Sequence, residues 1–235
     1  MAKLGGKVAL GLFRKAAPWF RSTVARGGRR HQLAAGVEDA AERFALSRRG
    51  KIPLVELRPR HVHRLDGGTS PLTAAQQAAM RDAHREIDRL LREAGGRPLS
   101  RYETRVAMRH VNPTGSKVNC SEIAMAVDDI LAGRATVAGA RPRGVPVPLV
   151  RGALGKQATE VRTGLSSLDD VERLIAENPG ARGIIIGHGG TGTAHVFNVA
   201  NVGGKTSYLD GQLRQMADVN PHAGRFPQWD FYRTA

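Results

Sequence analysis

A thiol, an imidazole and a carboxylate are the groups that a nucleophilic acyl transfer needs, and this chain offers one of each in a suggestive order. The thiol is Cys120, the only cysteine among 235 residues. It opens the stretch Asn119-Cys120-Ser121-Glu122-Ile123-Ala124-Met125, which runs on to Gly133. Within it Ile123, Ala126, Val127, Ile130 and Leu131 recur at the spacing of a buried helical face, and Gly133 supplies a stop. A thiol in the first turn of a helix lies among unpaired backbone N–H groups at the positive end of the helix dipole. Both favour the thiolate. A free cysteine is otherwise a small buried apolar residue, so a nucleophile must also find a histidine.

His195 is that histidine in the sequence reading. Ala194 to Val202 and Lys205 to Gln212 are two β-prone runs around Gly203-Gly204, which predicts a hairpin with a two-residue turn. Counting outward from Val202 opposite Lys205 sets Phe197 opposite Asp210 and His195 opposite Gln212. His195 and Asp210 are then diagonal neighbours on one sheet face, with backbones roughly 7 to 8 Å apart, a gap that polar side chains can close. A carboxylate on one ring nitrogen fixes the tautomer and leaves the other nitrogen to take a proton from a thiol. An ordinary cross-strand polar pair is the plainer reading of the same two residues.

The same residues carry a family resemblance. Asn119-Cys120 opening a helix that ends Leu131-Ala132-Gly133-Arg134, then Ala181-Arg182-Gly183-Ile184-Ile185, His195-Val196-Phe197-Asn198-Val199, Tyr208-Leu209-Asp210-Gly211-Gln212 and Tyr232-Arg233-Thr234 follow in order. From about residue 105 to the C-terminus the chain resembles the papain-fold glutamine deamidase toxin domain of bacterial polymorphic toxins. The resemblance implies an α+β, papain-like cysteine hydrolase fold with the nucleophile at a helix N-terminus and the histidine and aspartate on an antiparallel sheet. It implies a triad of Cys120, His195 and Asp210 that hydrolyses a glutamine side-chain amide of a target-cell protein. It also implies secretion or injection by a bacterium, action in the target-cell cytoplasm and a cognate immunity protein. Many relatives have a second cysteine one turn after the first, where this chain has Ala124, and Leu213-Arg214 replaces the usual Thr-Gly after Asp-Gly-Gln. No cofactor or metal is expected.

For the oxyanion formed in such a reaction, the backbone N–H of Cys120 and one side-chain amide are the expected donors, with Asn119, Asn112 and Gln212 as candidates. His188, in the glycine-rich run Gly187 to Thr193, is a rival base for which no carboxylate partner is evident. That run lacks the Lys-Ser/Thr ending of a phosphate loop and leads into a strand, so it reads as a hairpin connection. His61-Val62-His63 has four basic neighbours and no clustered carboxylate or cysteine, which favours a solvated loop or edge strand over a metal site.

The elements that must position these groups fall into three segments. Residues 1–50 form a basic leader, 51–96 a helical extension and 97–235 the papain-like catalytic domain, with a soft boundary near 97. The net charge of +15 divides as +8 over residues 1–50, +6 over 51–150 and +1 over 151–235. Residues 1–31 have eight Lys/Arg, no acidic residue and apolar residues between them. They read as a mobile tail, an address for delivery machinery or a contact for an anionic surface; the apolar stretch is too short for a secretory signal. No apolar run reaches the roughly 20 residues of a membrane span. One cysteine excludes an intramolecular disulfide.

Within residues 33–46, Leu33, Val37, Ala40, Ala41 and Phe44 stand at helical spacing and predict a short amphipathic helix. Thr73 with Gln76 and Ser100 with Glu103 are capping boxes that open helices, the first with Met80, His84, Ile87 and Leu91 on one face and Gly95-Gly96 as its stop. Residues 134–156, rich in Pro and Gly, are expected to form an irregular loop bordering a cleft. Ser167 with Asp170 is expected to cap a helix that ends at Asn178-Pro179-Gly180, and Gly183 to Gly187 reads as a buried strand. Three other functions compete. The same triad would serve a papain-like protease or deubiquitinase, or a transglutaminase with an amine in place of water. A basic nucleic-acid or membrane-binding module with a structural Cys120 is the third, opposed by 5% aromatic content and the near-neutral last third.

Overall fold

The computed structural model describes residues 62–63, 72–190 and 192–235. The leader 1–50 with its predicted helix, and most of 51–71, lie outside the described residues. Val62–His63 (β1) pairs in parallel with Val137–Ala138 (β2). The helices are Ala74–Ala94 (α1), Arg101–His110 (α2), Cys120–Leu131 (α3), Val147–Gly155 (α4) and Asp169–Glu177 (α5). Six strands, Glu160–Leu165 (β3), Arg182–His188 (β4), Ala194–Val202 (β5), Lys205–Asp210 (β6), Gln215–Ala217 (β7) and Gln228–Arg233 (β8), form an antiparallel sheet in the order β3-β8-β4-β5-β6-β7. No helix among the described residues is long and apolar enough to cross a membrane.

Alternation along the strands decides which helix covers which face. Ile184, Ile186, Val196 and Tyr232 pack with Ala124 and Met125 of α3 and Val150 and Leu154 of α4. Ala200, Val202 and Leu209 extend this face under Ile123, Val127 and Ile130 of α3, together with Met80, Ile87 and Leu90 of α1 and Met108 of α2. The alternate residues, Ile185, Phe197, Val199, Tyr208, Trp229 and Phe231, pack with Val171 and Ile175 of α5 and with Phe226. The helix α3 is therefore the inner helix, buried from Ser121 through Asp128. α1 shares its core, so the helix before residue 97 packs on the sheet-bearing part of the chain.

Both expected capping boxes are present, at Thr73/Gln76 and Ser100/Glu103. The hairpin has the expected register, from Val202 opposite Lys205 to Asn198 opposite Leu209. Its turn requires positive φ at two successive positions, and Gly203 (63°) and Gly204 (82°) supply it. Two local expectations are corrected. Residues 134–156 hold β2 and α4 rather than an unbroken loop, because Pro148 stands at the start of α4, where its missing N–H has no intrahelical partner to lose. Ser167 accepts from the Asp169 N–H at 3.3 Å and forms no capping box, since α5 begins at Asp169 with Leu168 at its N-cap.

One glycine sets how closely the sheet approaches the nucleophile helix. A Cβ on Gly211, just beyond β6, would stand 2.4 Å from Ile123 Cγ2 and 2.7 Å from Val111 Cγ1. Gly211→Ala is therefore expected to destabilise the fold by about 1–3 kcal/mol through overpacking, read as a lower urea midpoint with unchanged slope.

Candidate active site

Each candidate catalytic side chain is delivered by an element whose position the core dictates. Cys120 is the first residue of α3 and is half-buried. His195 lies one residue into β5, opposite Gly187 of β4 and beyond the last β5–β6 pair. Asp210 ends β6. The helix start and the strand ends meet at one end of the sheet. A direct tie holds them in place: the buried Asn198 of β5 donates through Nδ2 to the carbonyl of Ala124 in α3 at 2.9 Å.

There His195 Nε2 donates to Asp210 Oδ2 at 2.7 Å. His195 and Cys120 line the same cleft, and with Nε2 on Asp210 the ring nitrogen left to face the thiol is Nδ1. The structure thus brings together Cys120, His195 and Asp210. It adds a residue that the sequence reading missed: His222, 3% exposed, donates through Nε2 to the same Asp210 oxygen at 2.9 Å. Its ring lies edge-on to His195 at 4.8 Å and against Phe197 at 4.8 Å. His222 sits in a loop between β7 and β8, where no periodicity pairs it with anything. Asp210 Oδ1 accepts the backbone N–H groups of Gln212 and Leu213, each at 3.0 Å.

These contacts set the charges. Burial lowers the proton affinity of His195, but the hydrogen bonds to Asp210 and then Cys120 outweigh it and push the imidazole up to about 9. Burial raises Asp210, and the hydrogen bonds from His195 and His222 overcome that and hold the carboxyl well below the ordinary range. The pair is therefore imidazolium and carboxylate at neutral pH. His195 stabilises the fold fully below its ordinary value of 6.5, and that contribution is lost as pH rises through about 9. The contribution of Asp210 is present above its ordinary 3.8 and is lost as pH falls.

A cleft of about 430 Å³ opens on this centre, lined by Cys120, His195, Val118, Gly144, Val147 and Gln212 among others. Gln212 Nε2 is buried and has no hydrogen-bond partner among the described residues. A buried amide donor left unpaired costs about 1–3 kcal/mol, so this donor is free for an oxygen entering the cleft. The other two amide candidates are committed elsewhere. Asn119 Nδ2 donates to the Gly139 carbonyl at 2.8 Å and Asn112 Nδ2 to that of Ser116 at 3.0 Å, and neither lines the cleft. A hollow of about 410 Å³ beside α1 and α2 contains none of Cys120, His195, Asp210 or Gln212.

His188, the rival base, does have a carboxylate. Its Nε2 lies 2.9 Å from Asp230 Oδ2, but Arg151 also pairs with that oxygen, at 2.6 Å, and the Cys120 contact goes to His195. Asp230 is the sole carboxylate in the otherwise apolar run Trp229 to Tyr232, the only sequence signal that marked it. His84 packs in the core of α1, with Nε2 3.2 Å from the Ala135 carbonyl. Among the described residues one group, His195, Asp210 and His222, has the composition of a metal site. Its direct hydrogen bonds already satisfy both imidazole Nε2 atoms and the carboxylate. In an NMR titration, His195 is expected to lose its proton near pH 9, and Asp210→Asn is expected to bring that titration down toward the ordinary imidazole range.

No curated protein and no solved structure gives a significant match to the chain. Residues 118–215, which hold Cys120, His195, Asp210 and Gln212, match the model of the family described as papain fold toxin 1, glutamine deamidase.

Proposed function

We propose that the chain is a toxin-type hydrolase that deamidates a glutamine side chain of a target-cell protein to glutamate, with Cys120, His195 and Asp210 as catalytic triad. The observation that carries this reading is the His195–Asp210 hydrogen bond beside Cys120 in one cleft, inside the segment that matches a glutamine deamidase family. Cys120, as thiolate with His195 as imidazolium, attacks the amide carbon. The carbonyl π electrons move to oxygen, and the backbone N–H of Cys120 and Gln212 Nε2 receive the resulting oxyanion. His195 gives its proton to the departing ammonia, and a water that it then deprotonates opens the thioester to leave glutamate. Asp210 orients the ring and stabilises its charge. His222 holds the carboxylate in place through the same oxygen and, lying outside the cleft lining, acts on the reaction only through Asp210.

The family match supports a toxin that reaches its target by secretion or injection, with a protein as substrate. A neutralising immunity protein and a delivery role for residues 1–31 are the corresponding proposals for its partners. The protease reading uses the same three residues and differs only in the bond cleaved.

Mass spectrometry of target-cell lysates treated with the protein or with Cys120→Ala is expected to show peptides with Gln-to-Glu conversion only for the active protein. New chain termini without conversion identify a protease instead. His195→Ala is expected to match the loss seen in Cys120→Ala, and Asp210→Asn to lose less. In steady-state assays of ammonia release, Gln212→Ala is expected to lower kcat by roughly 10²-fold, the loss that follows removal of one oxyanion donor. His222→Phe is expected to lower kcat by roughly tenfold, with His222→Gln, whose amide can still donate, recovering part of it.

A further inference from the structure

The lip of the cleft is basic, and the fold uses only part of its charge. From residue 130 to 159 the chain has five Lys/Arg and no Asp or Glu, and this segment supplies Gly144 to Val147 and Val150 of the cleft wall. Three of the five are engaged: Arg134 with Asp129, Arg141 with Glu122 and Arg151 with Asp230. Arg143 is exposed, and its side chain makes no ion pair with the described residues. Lys117, on the facing segment, is also exposed, lines the cleft and has no carboxylate partner among the described residues. Their two segments run in contact, since a Cβ built on Gly144 would lie 3.8 Å from the Val118 carbonyl. No Asp or Glu is among the cleft-lining residues.

The position of Arg143 is built rather than incidental. Arg141, with its side chain 5% exposed, pairs with the fully buried Glu122 in the first turn of α3. Its Nε also donates to the Arg143 carbonyl at 3.1 Å. The nucleophile helix thus anchors the lip that presents the unpaired guanidinium. Two exposed apolar side chains adjoin cleft-lining residues in the chain, Val118 at 39% directly after Lys117 and Leu213 at 51% directly after Gln212.

We propose that this lip recognises an acidic protein segment: Lys117 and Arg143 receive Asp or Glu side chains next to the target glutamine, and Val118 and Leu213 receive apolar neighbours. The proposal rests on the reading of the cleft as the substrate site and narrows its substrate class. A nucleic acid would meet the cations, but no Phe, Tyr or Trp is among the described residues that line the cleft, and its one imidazole, His195, is held by Asp210. Two exposed ion pairs contribute about 1 kcal/mol together at low salt, which corresponds to a roughly fivefold preference.

The test uses the full chain and reads cleft occupancy without requiring turnover. Because Cys120 is the only cysteine, the rate of its alkylation by iodoacetamide, followed by intact mass, reports on the cleft alone. Short peptides with a central glutamine flanked by Glu and Leu are compared with the same peptides carrying Gln or Lys for Glu. The acidic peptide is expected to protect Cys120 at roughly fivefold lower concentration than the neutral one. The preference is expected to shrink at 0.5 M salt and to vanish in K117Q/R143Q. That double variant separates the lip from the basic residues 1–50, which it leaves intact. Equal protection by acidic and neutral peptides, no protection by either, an acidic preference retained in K117Q/R143Q, or stronger protection by a single-stranded oligonucleotide overturns the proposal. Ammonia measured in parallel samples without iodoacetamide tests deamidation separately: selective protection without ammonia release leaves the acidic lip standing and removes the deamidase reading.

Discussion

A carboxylate with 1% of its surface exposed is tolerable only when donors replace the water it has lost. Asp210 has four: His195 and His222 on one oxygen, the backbone N–H groups of Gln212 and Leu213 on the other. Much of the centre follows from meeting that requirement. The charge on Asp210 holds the His195 proton, the proton holds the ring against the thiol, and the tight turn after β6 that brings in two backbone donors also places Gln212 on the cleft wall. Remove the carboxylate and His222 loses its partner, His195 its orientation and the turn its acceptor.

The packing around this centre works by fixing distances between a helix and a sheet. Asn198 bonds the middle of β5 to a carbonyl of α3, and Gly211 lets the end of β6 approach within contact of Ile123 and Val111. The Glu122–Arg141 pair then attaches the cleft lip to the same helix. Three ties of different chemistry converge on the first two turns of α3, where Cys120 lies. A buried ion pair is a poor general source of stability, and here its effect is local: it sets where the lip stands relative to the nucleophile.

Much of this was legible in the sequence, for identifiable reasons. The hairpin was countable because Gly203-Gly204 permits a two-residue turn, and a period of two then forces His195 and Asp210 onto one face. The helix α3 was legible from its apolar spacing, and two capping boxes marked α1 and α2. What escaped came from places without periodicity. His222 reaches Asp210 from a loop, and neither its spacing nor its neighbours indicate that. Asp230 pairs with His188 across two strands whose adjacency in the sheet, β8 beside β4, is a matter of topology. α4 was hidden by Pro148, since a proline reads as a loop until its place at the helix start is known. Asn119 and Asn112 looked like oxyanion donors because they flank the nucleophile in sequence, yet their amides hold neighbouring loops by backbone carbonyls.

The turn from Gly211 to Leu213 has a mechanical consequence. Its backbone holds the carboxylate, its middle side chain offers an unpaired amide to the cleft, and its last side chain, Leu213, is exposed to solvent. A molecule that grips Leu213 from outside and rotates this turn withdraws the orienting carboxylate and the amide donor in one movement. The centre is thus open to being disarmed by a binder that never enters the cleft and never meets the thiol.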